Sequence, residues 1–496
     1  MAVKVDTQKE IIFGSSDPNI SRVISKKKKD GELRKLAPRI YTTNLIDSPA
    51  NIVRRNLIEI LAYRYPNALI SHRSAKEMRP TSTGDFFLTN STTRRVTDLP
   101  GIILNFVKGP KATAHDIPFM GMHISGEHRY MLENMQLSRK SGDESRVLPI
   151  SVIENKLEQL LLTGGEERLN QYRDELREVA NELGMADEFS KINNIISALL
   201  STHDARVLST DSAKARASGN PFDANRVGLF EILFDTIKDR YFVIRNNRNT
   251  DEDSFRLFSF FESYFSNYIE GTEFDIEEAK EIVDSGIPMP RRDEDSHDIL
   301  GTFKILSNRT EMRRVPTTPE ELFAILSHRH TILLEGRPHM NPGVFKMRNN
   351  RAGQTEFVDY QLVKGTLSQG FKYYSALTDP FARAIFMMFM ISEVLPFNDG
   401  NGRIARVMMN AEFVRADQSR IIVPTVFRED YILALRKLTR HKDPMAYINV
   451  MTKLHQFSDN LYGSDFTELK NYLAACNAYE EPSQAKLQII DRSIRH

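Results

Sequence analysis

The chain has 496 residues, of which 41% are hydrophobic and 27% are charged, and its formal net charge at pH 7 is +1. This length predicts several domains that each bury an apolar core, and the composition excludes wholesale disorder. The small net charge excludes a surface coated by nucleic acid but is compatible with a local basic patch.

Cysteine usage and hydropathy indicate the compartment. The single cysteine, Cys476, cannot form a disulfide within the chain, and no CxxC or HExxH pattern supports a zinc site. No stretch reaches the roughly 18 apolar residues that span a bilayer, and residues 1–13 lack the apolar core of a signal peptide. We therefore expect a cytoplasmic protein with no membrane partner, and a homo-oligomer is left open.

The first element that the sequence predicts is a helix followed by a short hairpin, at residues 18–45. Branched aliphatic residues recur there at helical spacing before an Asp30-Gly31 turn. Clustered cations on such a unit suit a phosphate backbone, and a solvated charged face is the alternative. The cations that we predict, from charge alone, as DNA ligands are Arg22, Lys26, Lys27, Arg34 and Lys35.

The pattern changes along residues 50–220. Apolar runs at 84–88 and 102–107, separated by proline and glycine, predict strands of a small α+β unit. From about 150 to 200, apolar residues recur on one helical face. The polar, serine-rich stretch Ser201–Asn220 then predicts a linker or exposed loop between two halves of the chain.

Beyond Gly228 the pattern is helical, with one exception. Residues 343–358 place apolar residues on either side of an Asn-Asn-Arg-Ala-Gly turn, which predicts a hairpin. The run from Pro380 to Val394 is almost continuously apolar and predicts a helix buried on most sides, which Pro396 ends. A second helix is predicted to begin near Gly402.

Between these two helices, residues 398–402 form an Asn-Asp-Gly-Asn-Gly loop with the properties of an anion site. The glycines let backbone amides approach a ligand at the positive end of a helix dipole. Arg403 and Arg406 share a helix face and can hold successive phosphates, and Asp399 offers an oxygen ligand for Mg²⁺. We therefore predict a nucleoside triphosphate site.

Other interpretations of the loop fit less well. A tight turn between two core helices is the alternative for the glycines alone. The chain has no GxxxxGK[ST] loop, and an EF-hand counted from Asp399 would need a carboxylate where Asn410 stands.

Residues 395–406 resemble the signature of the Fic (Fido) family, HPFx[DE]GNGRxxR, at every defined position except the first, which is Leu395. The resemblance implies a helical Fic fold that binds ATP with Mg²⁺ and transfers AMP, or another phosphate-containing group, to a hydroxyl of a target protein. It implies that Asp399 is the metal ligand and that Phe397 anchors the loop. The implied phosphate ligands are Gly400, Asn401 and Gly402 as a cradle and Arg403 and Arg406 as clamps.

Position 395 limits what the resemblance implies about catalysis. Family members use a histidine there to take the proton of the incoming hydroxyl, a contribution of roughly 10²–10⁴ in rate, and leucine accepts no proton. Glu393 points to another helix face. We expect a chain that binds nucleotide and transfers it poorly or not at all. The sequence leaves open whether Leu395 is a natural or an inactivating replacement.

A second motif, SNYIEG at 266–271, ends a predicted helix over 251–271. It is similar to the family's inhibitory motif, [ST]xxxE[GN], and the resemblance implies that Ser266, Glu270 and Gly271 are regulatory, with Glu270 engaging Arg406. A carboxylate on an arginine clamp competes with phosphate for it. A solvated Glu270 beside a glycine cap is the alternative.

The hairpin predicted at 343–358 lies where the family has its flap, which receives a segment of the target protein as an added strand. An exposed strand edge offers main-chain hydrogen bonds to such a segment. A plain surface hairpin is the alternative.

Residues 18–130 resemble the AbiEi-type antitoxin and regulator family, whose N-terminal part is a winged helix. The resemblance rests on APRIYT at 37–42 and SHRSA at 71–75. It implies DNA binding in a bacterial toxin–antitoxin context. It also provides the alternative function, a DNA-binding regulator whose Fic part senses nucleotide without catalysis.

Together these expectations describe a multidomain protein: a mainly α Fic fold with a β-hairpin flap, preceded by a winged-helix or α+β region. The expected domains are 1–130 (AbiEi-like), 131–220 (helical connector), 221–425 (Fic domain) and 426–496 (C-terminal helices). The isolated histidines, including His328, His330 and His339, are assigned to surface or core packing.

Overall fold

A computed structural model describes residues 9–200, 205–289, 292–352 and 355–492. The chain forms two compact units, Met1–Ser218 and Gly219–His496. No helix among the described residues has both the length and the apolar composition that crossing a bilayer requires. The boundary between the units falls inside the polar stretch that the sequence places between its halves.

The first unit begins with a small three-stranded sheet. Its elements are β1 (Ile11–Phe13), α1 (Pro18–Lys29), β2 (Arg34–Ala37) and β3 (Ile40–Thr42). The antiparallel strand order is β1-β3-β2. Asp17 caps α1 through the amide of Asn19, and Pro18 stands in the first turn, which is why the helix begins there. The predicted helix and hairpin are confirmed, and the winged-helix assignment stays a prediction.

A mixed six-stranded sheet forms the middle of this unit. Its strands are β4 (Leu69–Ile70), β5 (Asp85–Asn90), β6 (Arg94–Leu99), β7 (Ile102–Lys108), β8 (Ile117–Phe119) and β9 (Met122–Ile124). The order is β6-β7-β5-β4-β9-β8, and β5 and β7 run parallel. Alternate residues of β7 are buried, as the period of a strand requires. The short helices beside the sheet are α2 (Pro49–Arg55), α3 (Leu57–Arg64), α4 (His72–Glu77) and α5 (Glu127–Glu133).

Helices complete the first unit. They are α6 (Ile150–Leu183), α7 (Ala186–Leu199) and α8 (Asp211–Ala217), with short 3₁₀ turns at Gly142–Glu144 and Ala205–Val207. Gly165, with φ 69 and ψ −171, interrupts α6. Apolar residues of α5, α6, α7 and α8 share one core.

The linker or exposed loop predicted at Ser201–Asn220 is contradicted at residues 211–217, where helix α8 forms, and residues 201–204 lie outside the described part. Helix α8 occupies this stretch because two groups fix its start. The Thr210 side chain caps it, accepting from the Ala213 amide, and the buried Glu154 carboxylate accepts the Ser209 and Thr210 amides at 2.7 and 2.8 Å. The sequence is polar throughout this stretch, so its composition did not indicate these capping interactions.

The second unit is mainly helical. Its helices are α9 (Ala224–Ile237), α10 (Glu252–Ile269), α11 (Ile276–Ser285), α12 (Asp293–Leu306), α13 (Arg309–Met312), α14 (Pro319–Leu333), α15 (Val363–Ala376), α16 (Pro380–Val394), α17 (Asn401–Arg415), α18 (Arg428–His441), α19 (Pro444–Ser458) and α20 (Phe466–Ala475). Short 3₁₀ turns lie at Pro338–Met340, Tyr360–Leu362 and Thr425–Phe427. The hairpin consists of β10 (Arg351–Ala352) and β11 (Thr355–Glu356).

Helices α16 and α17 pack together at the centre of this unit. Asp379 caps α16 by accepting the Ala382 amide at 2.9 Å, and Pro380 begins it. Residues 384–391 of α16 are all buried, which explains the continuous apolar run. The predicted bounds of α16 are confirmed.

The hairpin is shorter than predicted and is shifted along the chain. Arg351 pairs with Glu356 and Ala352 with Thr355, and Gly353 of the predicted turn lies outside the described residues. Residues 343–350 form no strand. Phe345 instead packs on Phe397, with ring centroids 5.2 Å apart, so its apolar character serves the loop at 395–406.

Candidate nucleotide site

The loop between α16 and α17 is closed by one side chain. Leu395 adopts a left-handed φ of 46 and Gly400 a φ of 71, which turn the chain out of one helix and into the next. Asn401 Oδ1 accepts from the Phe397 amide at 2.9 Å, and Asn401 Nδ2 donates to the Phe397 carbonyl at 2.8 Å. The Asn401 side chain therefore shapes the loop, and its role in an anion cradle stays a prediction.

A histidine supports the loop from α14. Phe397 is buried and stacks on His330, with ring centroids 3.7 Å apart. His330 Nδ1 accepts from the Gly343 amide at 2.8 Å, which leaves Nε2 to donate to the Asp399 carbonyl at 3.0 Å. Burial lowers the pKa of His330 to about 4, so the ring is neutral at pH 7.

His330 thus positions the loop, whereas the sequence assigned it to packing. Its partner is a backbone carbonyl 69 residues further along the chain. Any residue has such a carbonyl, and no spacing signal in the sequence could have indicated this contact.

Arg406 is held by the end of α10. Its Nη2 donates to Glu270 Oε1 at 2.7 Å and to the Ser266 carbonyl at 2.8 Å, and its Nε donates to Ser266 Oγ at 3.0 Å. Although burial opposes the charged form, the Glu270 carboxylate raises the pKa of Arg406, which stays a cation. The structure therefore brings together Ser266, Glu270 and Arg406 in one contact.

The Glu270 carboxylate also lies over the first turn of α17. A Cβ atom placed on Gly402 would collide with Glu270 Oε1 and would approach Arg406 Nη1 to 3.2 Å. The first turn of a helix carries unpaired amides and partial positive charge, which attract anions. Glu270 thus lies beside the helix end at which anions are favoured in general, and 36% of its side chain is exposed.

Arg403 has a different carboxylate partner. Its Nη1 lies 2.7 Å from Asp298 Oδ2 of α12 and 3.3 Å from Asn267 Oδ1 of α10. Asp298 also accepts two bonds from Arg337, at 3.1 and 2.8 Å, and only 2% of its side chain is exposed. Burial raises the pKa of Asp298 above its usual range, against the pull of Arg403 and Arg337.

Asp399 has the exposure that a metal ligand needs. Its Oδ1 accepts the Gly400 amide at 2.7 Å, its Oδ2 lies 3.8 Å from Arg403, and 39% of its side chain is exposed. Among the described residues, no group of three or more His, Cys, Asp and Glu could hold a metal ion. A Mg²⁺ ion at Asp399 would therefore need phosphate and water oxygens as its other ligands, which is its usual arrangement.

Comparison with known proteins identifies one domain of the chain. Residues 317–412, which include α14, α16 and most of α17, match the model of the Fic/DOC family. This chain carries a Fic domain. No curated protein matches the chain.

Solved Fic structures are similar at low sequence identity. Fic-1 from C. elegans is 16% identical with a TM-score of 0.36, over 66% of this chain and 92% of that one. A Fic domain containing signaling protein from Bacteroides thetaiotaomicron is 15% identical with a TM-score of 0.37, over 48% and 94%. The second Fic domain of IbpA, in complex with adenylylated Cdc42, is 14% identical with a TM-score of 0.31, over 62% and 87%.

Position 395 carries a leucine where the Fic signature has a histidine, and leucine cannot accept a proton. Leu395 is half-buried, and a left-handed φ is unfavourable for leucine and better tolerated by histidine. The neighbouring Glu393 is buried on another side of α16, where it pairs with Arg226 and accepts a hydrogen bond from Thr439. The glutamate is therefore already engaged away from the loop.

The segment before the β10–β11 hairpin also holds the loop at residues 395–406, which we call the Fic loop. The Lys346 amide donates to the Pro396 carbonyl at 2.8 Å, and its ammonium donates to the Val394 carbonyl at 3.2 Å. Asn350 Nδ2 donates to the Phe397 carbonyl at 3.0 Å. These bonds fix the chain on both sides of Leu395, and sequence reasoning missed them because they too end on backbone carbonyls.

The candidate DNA ligands of the first unit fall into two groups. Arg22, Lys26 and Lys35 are exposed. Lys27 is paired with Glu32, and Arg34 donates to the carbonyls of Asn44, at 3.1 Å, and Asp47. Arg34 is therefore a structural tie within the unit, because its guanidinium already serves two backbone carbonyls.

Proposed function

We propose that the Fic domain binds ATP with Mg²⁺ at residues 395–406 and is built to transfer AMP to a hydroxyl side chain of a target protein. In this chain Glu270 inhibits the site, and Leu395 impairs the transfer. The observation that carries the proposal is the Glu270–Arg406 contact at 2.7 Å above the first turn of α17.

The contact supports anion binding because one anion already occupies the position. Arg406 is buried and cationic, and the carboxylate that neutralises it belongs to an exposed residue at the end of a helix. A phosphate group offers more charge and more acceptor oxygens than a carboxylate, so it can displace Glu270 from the guanidinium. Inhibition and nucleotide binding then compete for the same donors.

The remaining roles follow from exposure and partners. Asp399 would hold Mg²⁺, which when bound neutralises charge on the phosphates, and the amides at 400–402 would hold phosphate oxygens. Arg403 keeps its buried partner Asp298 and would act through its second edge or by supporting the loop.

The transfer step needs a proton acceptor at position 395. The target hydroxyl oxygen forms a bond to the α-phosphorus, the bond from that phosphorus to pyrophosphate breaks, and the hydroxyl proton leaves to a base. Leucine accepts no proton, and removal of such a base costs roughly 10²–10⁴ in rate.

Labelled ATP tests this proposal. The Leu395→His, Glu270→Gly form should transfer label from [α-³²P]ATP, and not from [γ-³²P]ATP, to itself or to a target protein. The matched control is the Glu270→Gly single variant, which keeps Leu395, and it should transfer at least about 10²-fold less label. Label from the γ-position, or no transfer by the double variant while it binds ATP, would reject AMP transfer.

The basic end of α1 supports a second candidate, a DNA-binding regulator with a non-catalytic Fic domain. The last turn of α1 consists of Lys26, Lys27, Lys28 and Lys29. Duplex DNA should then bind the full chain with a steep salt dependence. Lys26→Glu should weaken DNA binding, and Lys437→Glu in α18, the control charge reversal, should leave it unchanged. Equal effects of both charge reversals would reject α1 as the DNA site.

A further inference from the structure

A cleft on the second unit adjoins the start of the Fic loop, whereas Glu270 lies over its end, and the cleft has an unusual charge. It has a volume of about 660 Å³ and is lined by residues of α14, by residues 343–346 and by the start of α15. Two lysines, Lys346 and Lys364, are among the lining residues, and no aspartate or glutamate is. The cleft is therefore cationic, with aromatic walls at Phe323, Phe345 and Tyr360.

Of the two lysines, Lys346 has the more unusual environment, because it is buried. Only 3% of it is exposed, and its ammonium has one hydrogen-bond partner, the Val394 carbonyl. Among the described residues, no carboxylate forms an ion pair with Lys346, although Asp359 lies close enough to attract its ammonium. Burying an ammonium without an ion-pair partner is costly. Burial lowers the pKa of Lys346 to about 8, with Asp359 opposing the shift and Arg226 adding to it. An anionic ligand would relieve that cost.

The position of the cleft relates it to the reaction. Lys346 bonds the carbonyls on both sides of Leu395, so its ammonium lies beside the position at which the target hydroxyl would react. An extended chain advances about 3.3 Å per residue, so a side chain in the cleft belongs to a residue only a few positions from that hydroxyl.

We propose that this cleft binds an acidic side chain of the target segment, so that the Fic domain selects hydroxyl residues flanked by glutamate or aspartate. Lys364, at the exposed mouth, attracts the segment, and Lys346 pairs with its carboxylate next to the loop. The aromatic walls accept the apolar parts of the same segment. This inference rests on the proposed function, since it names the substrate class of that site.

Peptide binding to the full chain tests the inference. Fluorescein-labelled nonapeptides with a central threonine flanked by glutamates, or by glutamines in the control peptide, are titrated at pH 7 and followed by anisotropy. The acidic peptide should bind at least about tenfold tighter than the neutral one. Lys364→Glu should weaken the acidic peptide about tenfold, and Lys346→Met should weaken it as well.

Lys372 provides the matched control. It lies on the same helix as Lys364, is exposed, and does not line the cleft. Lys372→Glu should change the affinity for the acidic peptide less than twofold. Equal binding of both peptides, equal effects of the two charge reversals, or loss of the acidic peptide when MgATP saturates the chain would each overturn the inference.

The outcomes separate the inference from the proposed function. If the chain binds ATP and any one of those three results is obtained with the peptides, only the acidic cleft is overturned. Peptide binding as expected, in a chain that binds no ATP, leaves the cleft as an acidic-segment site and overturns the nucleotide proposal.

Discussion

The two sides of the Fic loop differ in how their cations are neutralised. On the side of α10 and α12, Arg406 and Arg403 are paired with carboxylates of the same chain at 2.7 Å. On the side of the cleft, Lys346 and Lys364 have no such partner among the described residues. An anionic ligand on the first side must therefore displace a carboxylate of the chain, whereas one on the second side can bind without displacing a carboxylate.

The two arginines differ from each other as well. Glu270 is about one-third exposed and can leave Arg406 for solvent, whereas Asp298 is buried and shared between Arg403 and Arg337. A phosphate can replace a partly solvated carboxylate on its arginine at little cost, whereas a displaced buried carboxylate is itself left as an uncompensated charge. We therefore expect Arg406 to be the switchable clamp and Arg403 to be a permanent tie.

The largest effect is expected when the pair between Arg403 and Asp298 is broken. Asp298→Asn should destabilise the second unit by about 3–5 kcal/mol, because two guanidinium groups lose the buried carboxylate that they share. Glu270→Gln is the matched variant and should cost at most about 1 kcal/mol, because residue 270 is itself partly exposed, glutamine can keep the hydrogen bond to Arg406, and Ser266 still accepts two bonds from that guanidinium. Urea unfolding followed by circular dichroism measures both. Similar losses for the two variants would contradict the division between a permanent and a switchable arginine.

A smaller effect follows from the close approach of Glu270 to Gly402. Gly402→Ala should destabilise the parent chain by about 1–3 kcal/mol, because the new methyl group forces Glu270 away from Arg406. In the Glu270→Gly background the same change should be neutral or stabilising, since alanine is favoured over glycine within a helix. The double-mutant cycle measures this coupling. Additive effects would place the Glu270 carboxylate somewhere other than above Gly402.

The smallest effect concerns a buried histidine remote from the loop, His455. Burial lowers its pKa to about 4, with Arg245 adding to the effect and the Ser419 carbonyl and Asp459 opposing it. The unfolded chain then binds the extra proton between about pH 6.5 and 4, so stability is full above this window and falls as pH decreases through it.

His455→Gln should make that loss of stability shallower by about 1 kcal/mol per pH unit or less, measured by urea unfolding at pH 7, 5.5 and 4.5. Its affinity for MgATP at pH 7 should match that of the parent chain. A weaker affinity would show that the core and the loop are coupled, and that the comparison between the two sides of the loop is incomplete.

Much of the site could be predicted from the sequence, because its determinants are local. Helix α16 has the predicted bounds, since an aspartate cap, a first-turn proline and a continuous apolar run specify it within one segment. The contact between Glu270 and Arg406 joins residues 136 positions apart, and only the family resemblance indicated it. Composition and spacing alone could not have paired them.

The rest could not be predicted, because it depends on backbone atoms and distant partners. His330, Lys346 and Asn350 all end on carbonyl groups of the loop, and every residue has a carbonyl. Asp298 is one carboxylate among several at the start of α12. The flap was misplaced because Phe345 packs on Phe397 instead of lying in a strand, and apolar patterning does not distinguish these uses.

The most direct test of the account is a calorimetric titration of the full chain and its Glu270→Gly form with MgATP. The account predicts that both forms bind at one site and that the variant binds at least about tenfold tighter, because Arg406 is free to hold phosphate. Equal affinities would contradict the role of Glu270 as an inhibitor, and absence of binding by both forms would contradict a nucleotide site at residues 395–406.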